Sequence, residues 1–383
     1  MPVVLFLCLT AQQPASPPPP PPPPASKRTV EFTGTVLMNG FYNSARTNNS
    51  DVPVLADTDA TGVKGASATL RQTRFGVLVS DPQVLGGSFE GEVDVDFYGG
   101  QQATVGNRNF PVLRLRRAIG TMQWSHVQVM LGQEKALVSV RNPRSLASVG
   151  LPDFSLAGNL WFWIPQARIT WEYGYTLRLA IQGAALAPIS GTQGLLNTQP
   201  DSGERSSRPY LEGRVRLGWG PIDDPSEVAV GGHIGWLRGL DSLTGDSLLQ
   251  SRAVTFDTRI KLGPAEIIGA AFIGQALAGL GGGAIGQQAG AGGAPIRTHG
   301  GWGQLNVRPR PEWMFGGGCG IDDPKDADVL ANGRFRNFVC EGHVEWRPPG
   351  PLLLGFEFRR LQTRYQAGDF TVNHMNLAAG FHF

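Results

Sequence analysis

The segment Phe89 to Tyr98 (FEGEVDVDFY) constrains this chain more than any other, because its two faces have opposite chemistry. Phe89, Gly91, Val93, Val95 and Phe97 are apolar or small, whereas Glu90, Glu92, Asp94 and Asp96 are all charged. A period of two is the signature of a β-strand, and this one sets an apolar surrounding on one side against water on the other. Leu211 to Trp219 repeats the pattern, with Leu211, Val215, Leu217 and Trp219 against Glu212, Arg214 and Arg216. Val254 to Leu262 repeats it again, with Phe256, Ile260 and Leu262 against Asp257, Arg259 and Lys261.

Such segments recur near 32–43, 68–80, 88–98, 111–120, 124–133, 162–173, 175–186, 210–219, 227–237, 252–262, 265–276, 298–308, 312–321, 335–346, 352–364 and 370–383, about sixteen in all. Their connections fall into two classes. Tyr173-Gly174-Tyr175, Gly263-Pro264-Ala265, Pro309-Arg310-Pro311 and Pro348 to Pro351 are tight turn chemistry. Ser44 to Ser67, Glu134 to Trp161, Pro188 to Pro209 and Leu277 to Arg297 are long loops. Trp124, Trp171, Trp219, Trp313 and Trp346 all lie at or beside the short turns, where an interfacial aromatic girdle belongs.

Beyond the first ten residues, none of the 383 positions opens an apolar run of the roughly 18 that a transmembrane helix needs. A chain of this pattern can meet lipid only as a closed barrel, the other structure that satisfies every backbone polar group there. The fold class is therefore all-β, a transmembrane antiparallel β-barrel with long extracellular loops and short periplasmic turns. At a formal net charge of +2, with no basic block set apart from acids, nothing points to nucleic acid. The cysteines have no metal-ligand spacing, and no metal or cofactor is expected.

The chain divides into a signal-like segment (1–11), a proline-rich periplasmic linker (12–30) and the barrel (31–383). Met1 to Thr10 (MPVVLFLCLT) is apolar like the core of a secretory signal, although it lacks the usual positive start. Pro17 to Pro24 is an unbroken proline run, a polyproline II spacer spanning roughly 25 Å. Met375 to Phe383 (MNLAAGFHF) sets Met375, Leu377, Ala379, Phe381 and Phe383 on one face and ends on an aromatic. It resembles the closing strand read by the outer-membrane barrel assembly machinery, with Phe381 and Phe383 as the assembly signal.

From Arg71 onward the sequence runs RQTRFGV, GEVDVDFYG, LRLRRAIG and VMLGQE, in that order and at strand spacing. This resembles the DcaP-like and related sixteen-stranded bacterial outer-membrane porins. The resemblance implies a homotrimeric channel in outer-membrane lipid that takes up small, often negatively charged organic molecules. Members carry a helical N-terminal extension where this chain has its proline run.

A barrel of this size holds water, so something must narrow it. The loop 134–161 is the candidate, contributing Lys135, Arg141, Arg144 and Asp153. Strand parity places Arg74, Glu90, Glu92, Asp94, Asp96, Arg114, Arg116, Arg168, Arg178, Arg214 and Arg216 on the lumen wall. The acids of 88–98 lie between strands bearing Arg74 and Arg114 and are expected to be neutralised across strands. That leaves an arginine-rich wall at Arg168, Arg178, Arg214 and Arg216, opposed by Glu172 and Glu212. Elsewhere Asp257, Glu341, Glu345 and Glu357 nearly balance Arg259, Lys261, Arg308 and Arg359, so the expected anion preference is mild.

If Trp313 faces Trp346 across a hairpin, one register also opposes Phe315 to Val344 and Cys319 to Cys340, since each pair of numbers sums to 659. Cys319 and Cys340 are then directly opposed on the lipid side, either as a disulfide or as two unlinked thiols. Two rival functions remain. A barrel enzyme needs a nucleophile beside a histidine, yet His126, His233, His299, His343, His374 and His382 are scattered singly. An adhesin or structural barrel plugged by its own loops predicts no conductance. Gly279 to Gly293 (GLGGGAIGQQAGAGG) reads as a flexible segment, either touching a neighbouring copy or disordered.

Overall fold

A computed structural model describes residues 28–59, 62–100, 111–190, 200–239 and 248–383. Residues 1–11, and the linker as far as residue 27, lie outside it. The wall begins with β1 (Thr29–Asn43), β2 (Gly65–Thr69), β3 (Arg74–Val84), β4 (Gly87–Asp96), β5 (Arg114–Gln123) and β6 (Val127–Lys135). It continues through β7 (Trp163–Tyr173), β8 (Leu177–Leu186), β9 (Tyr210–Trp219), β10 (Ser226–Arg238) and β11 (Leu248–Leu262). It ends with β12 (Ala265–Gln275), β13 (Arg297–Arg310), β14 (Trp313–Pro324), β15 (Arg334–Trp346), β16 (Leu352–Tyr365) and β17 (Gly368–His382). The barrel thus starts at Thr29, inside the stretch assigned from sequence to the linker.

From β3 to β17 each strand pairs antiparallel with its chain neighbour, and β17 pairs with β1 from Thr35↔His382 to Asn43↔His374. The other edge of β1 takes β3 along its first half and β2 along its last five residues. β2 and β3 are two pieces of one stave, so the seventeen segments make a closed barrel of sixteen staves. At the break between them, the Thr73 hydroxyl accepts from the Leu37 amide at 3.1 Å in place of a ladder bond.

Polarity is inverted relative to a water-soluble fold. On β16, Leu352, Leu354, Phe356 and Phe358 are 39–55% exposed, whereas Glu357 and Arg359 are 2% and 1% exposed. Apolar groups outside and charges inside suit a wall that stands in lipid. Trp171, Trp313 and Trp346 are exposed at the end of the barrel that carries the short turns.

The register of β14 and β15 opposes Trp313 to Trp346, Phe315 to Val344 and Cys319 to Cys340. The two cysteines are bonded. Gly279–Gly293 departs from its sequence reading: it folds into the mouth of its own barrel, with Leu280 and Ile285 buried. Its glycines are what allow this, since Gly281, Gly283, Gly286, Gly292 and Gly293 all take positive φ.

The last residue completes the seam. Gly34 and Phe383 exchange two backbone bonds of 3.1 Å. The Phe383 ring packs at 6.2 Å from Phe75 and 6.4 Å from Phe381. A Cβ at Gly34 would lie 2.5 Å from that ring. Phe383→Ser, which removes two aromatic pairs of about 1 kcal/mol each, should lower the yield of heat-modifiable folded barrel on gels, and Gly34→Leu should do so more severely. Denatured, unreduced protein should show no reactive thiol at Cys319 or Cys340, and Cys319→Ala should cost about 3 kcal/mol of stability.

Candidate pore interior

The connection that follows β6 does not stand outside the barrel. Leu137 and Val138 bury against Ile164, Leu186, Tyr210 and Leu249, and the Val138 amide donates to Glu212 at 3.2 Å. Arg141 then bridges Asp257 of β11, at 2.8 Å, and Glu227 of β10. Arg144 reaches Glu266 of β12 at 3.2 Å, and its amide donates to Gln304 of β13 at 2.7 Å. Ser145 donates to Glu357 of β16, and Asn39 of β1 donates to the Leu146 carbonyl. Arg116 and Arg114 of β5 donate to the carbonyls of Val149 and Gly150 at 2.9 and 2.6 Å. The segment therefore touches staves right round the lumen.

Its return is held by a buried ion cluster of the wall. Arg359 donates to Asp153, Glu357 and Ser148, and Phe154 stacks on Trp302 at 5.9 Å. Two further segments fill the same end. Residues 44–59 are tied by Arg71 to Asp51 and by the Ala56 amide to Thr363 at 3.0 Å. Burial beside Asp51 pushes the phenol of Tyr98, just past the end of β4, well above its ordinary value. Residues 276–296 are tied by the Ile285 amide to Asp322 at 3.0 Å, and the Trp161 amide donates to the Leu280 carbonyl at 2.9 Å.

The wall charges are largely paired. Arg74 forks onto Asp94 at 2.7 and 3.2 Å, and Arg114 forks onto Asp96 at 2.6 and 3.0 Å. Arg116 lies 3.3 Å from Asp96 and 3.4 Å from Asp94, and Glu92 accepts from Arg117 at 2.6 Å. Arg214 forks onto Asp257 at 2.8 and 2.9 Å, while Arg216 pairs with Glu227 at 3.0 Å and with Glu172. Glu212 faces Arg168 through space and spends its hydrogen bonds on the Val138 amide and on His233, at 3.2 and 2.9 Å.

Arg178 is buried on the inward face of β8, in phase with Ala180 and opposite to the exposed Leu177 and Leu179. It follows the short turn after β7, and its guanidinium reaches the carbonyls of Tyr175, Gly220 and Pro221 at 3.1–3.3 Å. Arg117 was missed for a definable reason. The β4–β5 register shifts between Asp94 and Val95, so Arg117 opposes Asp94 and shares the lumen with Arg114 and Arg116. No strict alternation survives a bulge; the adjacent pair Arg116-Arg117 was its one visible sign.

Two lumenal cavities result. One of about 310 Å³ is lined by Arg74, Arg116, Arg117, Lys135 and Arg168 against the single acid Glu134, with Val140 and Asn142 of the loop and Trp163 beside them. Lys135 Nζ donates to the Arg141 carbonyl at 2.7 Å and to Asn142 Oδ1, and Arg168 Nη2 donates to the Lys135 carbonyl at 2.8 Å. Arg168 keeps a buried Nε–H with no partner among the described residues. Trp163 packs under Arg114 and Arg116, whose guanidinium carbons lie 5.2 and 4.7 Å from its ring. The other cavity, about 480 Å³, opens near the short turns, with Arg144, Arg259, Lys261 and Arg308 against Asp224 and Glu266. Hydrogen bonds from Lys261, then Arg259, hold the turn carboxylate Asp224 below its usual range despite partial desolvation.

A closed wall with apolar groups outward, charges inward and loops folded into its mouth defines a transmembrane β-barrel of the porin fold. No family model matches the chain, and no curated protein matches it. Among solved structures it is similar to the outer membrane channel DcaP of Acinetobacter baumannii, with a TM-score of 0.73 at 18% identity over 93% of this chain and 97% of that one. An anion-selective porin from Comamonas acidovorans matches with a TM-score of 0.60 at 12% identity, over 93% of this chain and all of that one. Pseudomonas putida OprB matches with a TM-score of 0.54 at 10% identity, over 92% and 94% of the two chains.

Arg359 supplies a test of the loop anchor. Arg359→Leu strands the buried Asp153 and Glu357 carboxylates and should cost about 3–5 kcal/mol in denaturant titration. Arg46→Leu, which breaks exposed pairs to Asp57 and Asp59, should cost under about 1 kcal/mol.

Proposed function

We propose that this chain is a porin of the bacterial outer membrane, a passive channel for small polar or anionic solutes, with the segment 134–161 as its constriction. The observation that carries the reading is the 310 Å³ lumenal cavity, where five cationic side chains face one carboxylate beside that segment. Guanidinium groups with donors to spare bind carboxylates and phosphates through planar contacts, and cationic linings bias pores toward anions. Because most other wall charges are paired, the bias is mild. The barrel assembles as a homotrimer, in line with the trimer form named for one structural neighbour, Vibrio cholerae OmpT. Residues 1–11 act as an export signal, and the proline run acts as a periplasmic spacer.

A second reading, a barrel plugged by its own loops, is favoured by the three segments folded into one end. Single-channel recording separates the two: the porin conducts, and the plugged barrel does not. In a salt gradient across a planar bilayer the reversal potential should be anion-selective. Arg117→Gln with Arg168→Gln should lower the anion-to-cation permeability ratio about twofold, and a cation-selective wild type would overturn the proposal.

A further inference from the structure

We propose that the outer wall at the loop-bearing ends of β11 to β14 docks one phosphorylated glycolipid of the outer leaflet, the lipopolysaccharide class. The inference rests on the outer-membrane reading but not on the channel activity. A groove of about 810 Å³ lies there, on the outside of the barrel. Val254 and Ile273 form its floor and are 58% and 65% exposed. Just beneath, the outward positions carry little bulk, since Ala271, Gly301 and Gly303 alternate in phase with Ile273, His299 and Leu305.

Height decides what meets this floor. From Leu262, at the short turn, to Val254 the wall climbs roughly 20 Å for strands of ordinary rise and tilt, against an apolar band about 25 Å tall. Val254 and Ile273 therefore sit at the level of upper acyl carbons, and Arg252 sits at the level of headgroups.

The upper lip is cationic. Arg297 is matched by Asp328 and Arg364 by Asp326, each at 2.6 Å, and Asp323 lies 4.0 Å from His299. Arg252 instead donates to the neutral Gln275 at 3.4 Å, and Lys325 interacts at longer range with Asp328, the carboxylate that Arg297 already engages. A lip where Arg252, Arg297, Lys325 and Arg364 outnumber Asp323, Asp326 and Asp328, above an open apolar floor, complements a phosphate with acyl chains attached. A free phosphate would leave the floor unused. A second barrel seated there would have to desolvate Arg252 against only the neutral Gln275, which is costly.

The test is native mass spectrometry of the full-length protein in detergent, titrated with bis-phosphorylated lipid A. Wild type should retain one lipid per barrel, and Arg252→Gln with Lys325→Gln should weaken retention about tenfold. Monophosphoryl lipid A should bind less well, and phosphatidylcholine should not compete. Equal retention by the variant, or equal competition by the neutral lipid, would overturn the proposal. So would disulfide crosslinking of Ile273→Cys between barrels, which would make the groove a contact between copies. Conductance of the variant in bilayers free of lipid A should match wild type, so the channel reading stands or falls separately.

Discussion

Everything in this molecule depends on the pairing of β17 with β1. In lipid an unpaired strand edge exposes amides and carbonyls to a medium that cannot solvate them, so the sheet must close or fail. Closure fixes parity around the whole wall, and parity turns every second side chain into a lumen residue. The seam is built for that role: Gly34 leaves room for the Phe383 ring, and the terminal residue exchanges both backbone bonds with it.

Closure also creates an electrostatic problem. Charged side chains driven inward by parity stand close together, and the three inserted segments strip water from many of them. Single charges would be intolerable there, whereas bidentate pairs are affordable. The loop segments act as counter-ions in this scheme. Arg141 sits between Glu227 and Asp257, Arg144 joins Arg259 on Glu266, and Asp153 shares Arg359 with Glu357. The inserted segment and the wall are thus one charge network, and neither is satisfied without the other.

The strands were legible in the sequence because a lipid-exposed wall demands alternation along nearly its whole height. All sixteen staves fall where the alternation placed them, including the Trp313↔Trp346 register that carries Cys319 to Cys340. What the sequence hid is whatever depends on contacts between distant strands or on a break in period. Arg214 and Arg216 read as a surplus opposed only by Glu172 and Glu212 because two of their acids, Asp257 and Glu227, come from later staves. Arg117 was lost to a bulge. Gly279–Gly293 looked flexible because glycine content reports freedom in the unfolded chain, whereas here the positive φ values spend that freedom on a buried path.

The distribution of what is left unpaired shapes the field inside the barrel more than the net charge does. A barrel whose acids and bases cancel overall can still present a local field where pairing is incomplete. Around the 310 Å³ cavity the carboxylates of Asp94 and Asp96 are shared among Arg74, Arg114 and Arg116, and Glu92 and Glu134 are shared on Arg117. Lys135 and Arg168 spend their donors on neutral carbonyls and amides. Neutral acceptors orient those cations without cancelling their charge, so the surplus falls beside the inserted segment, where little water is left to screen it.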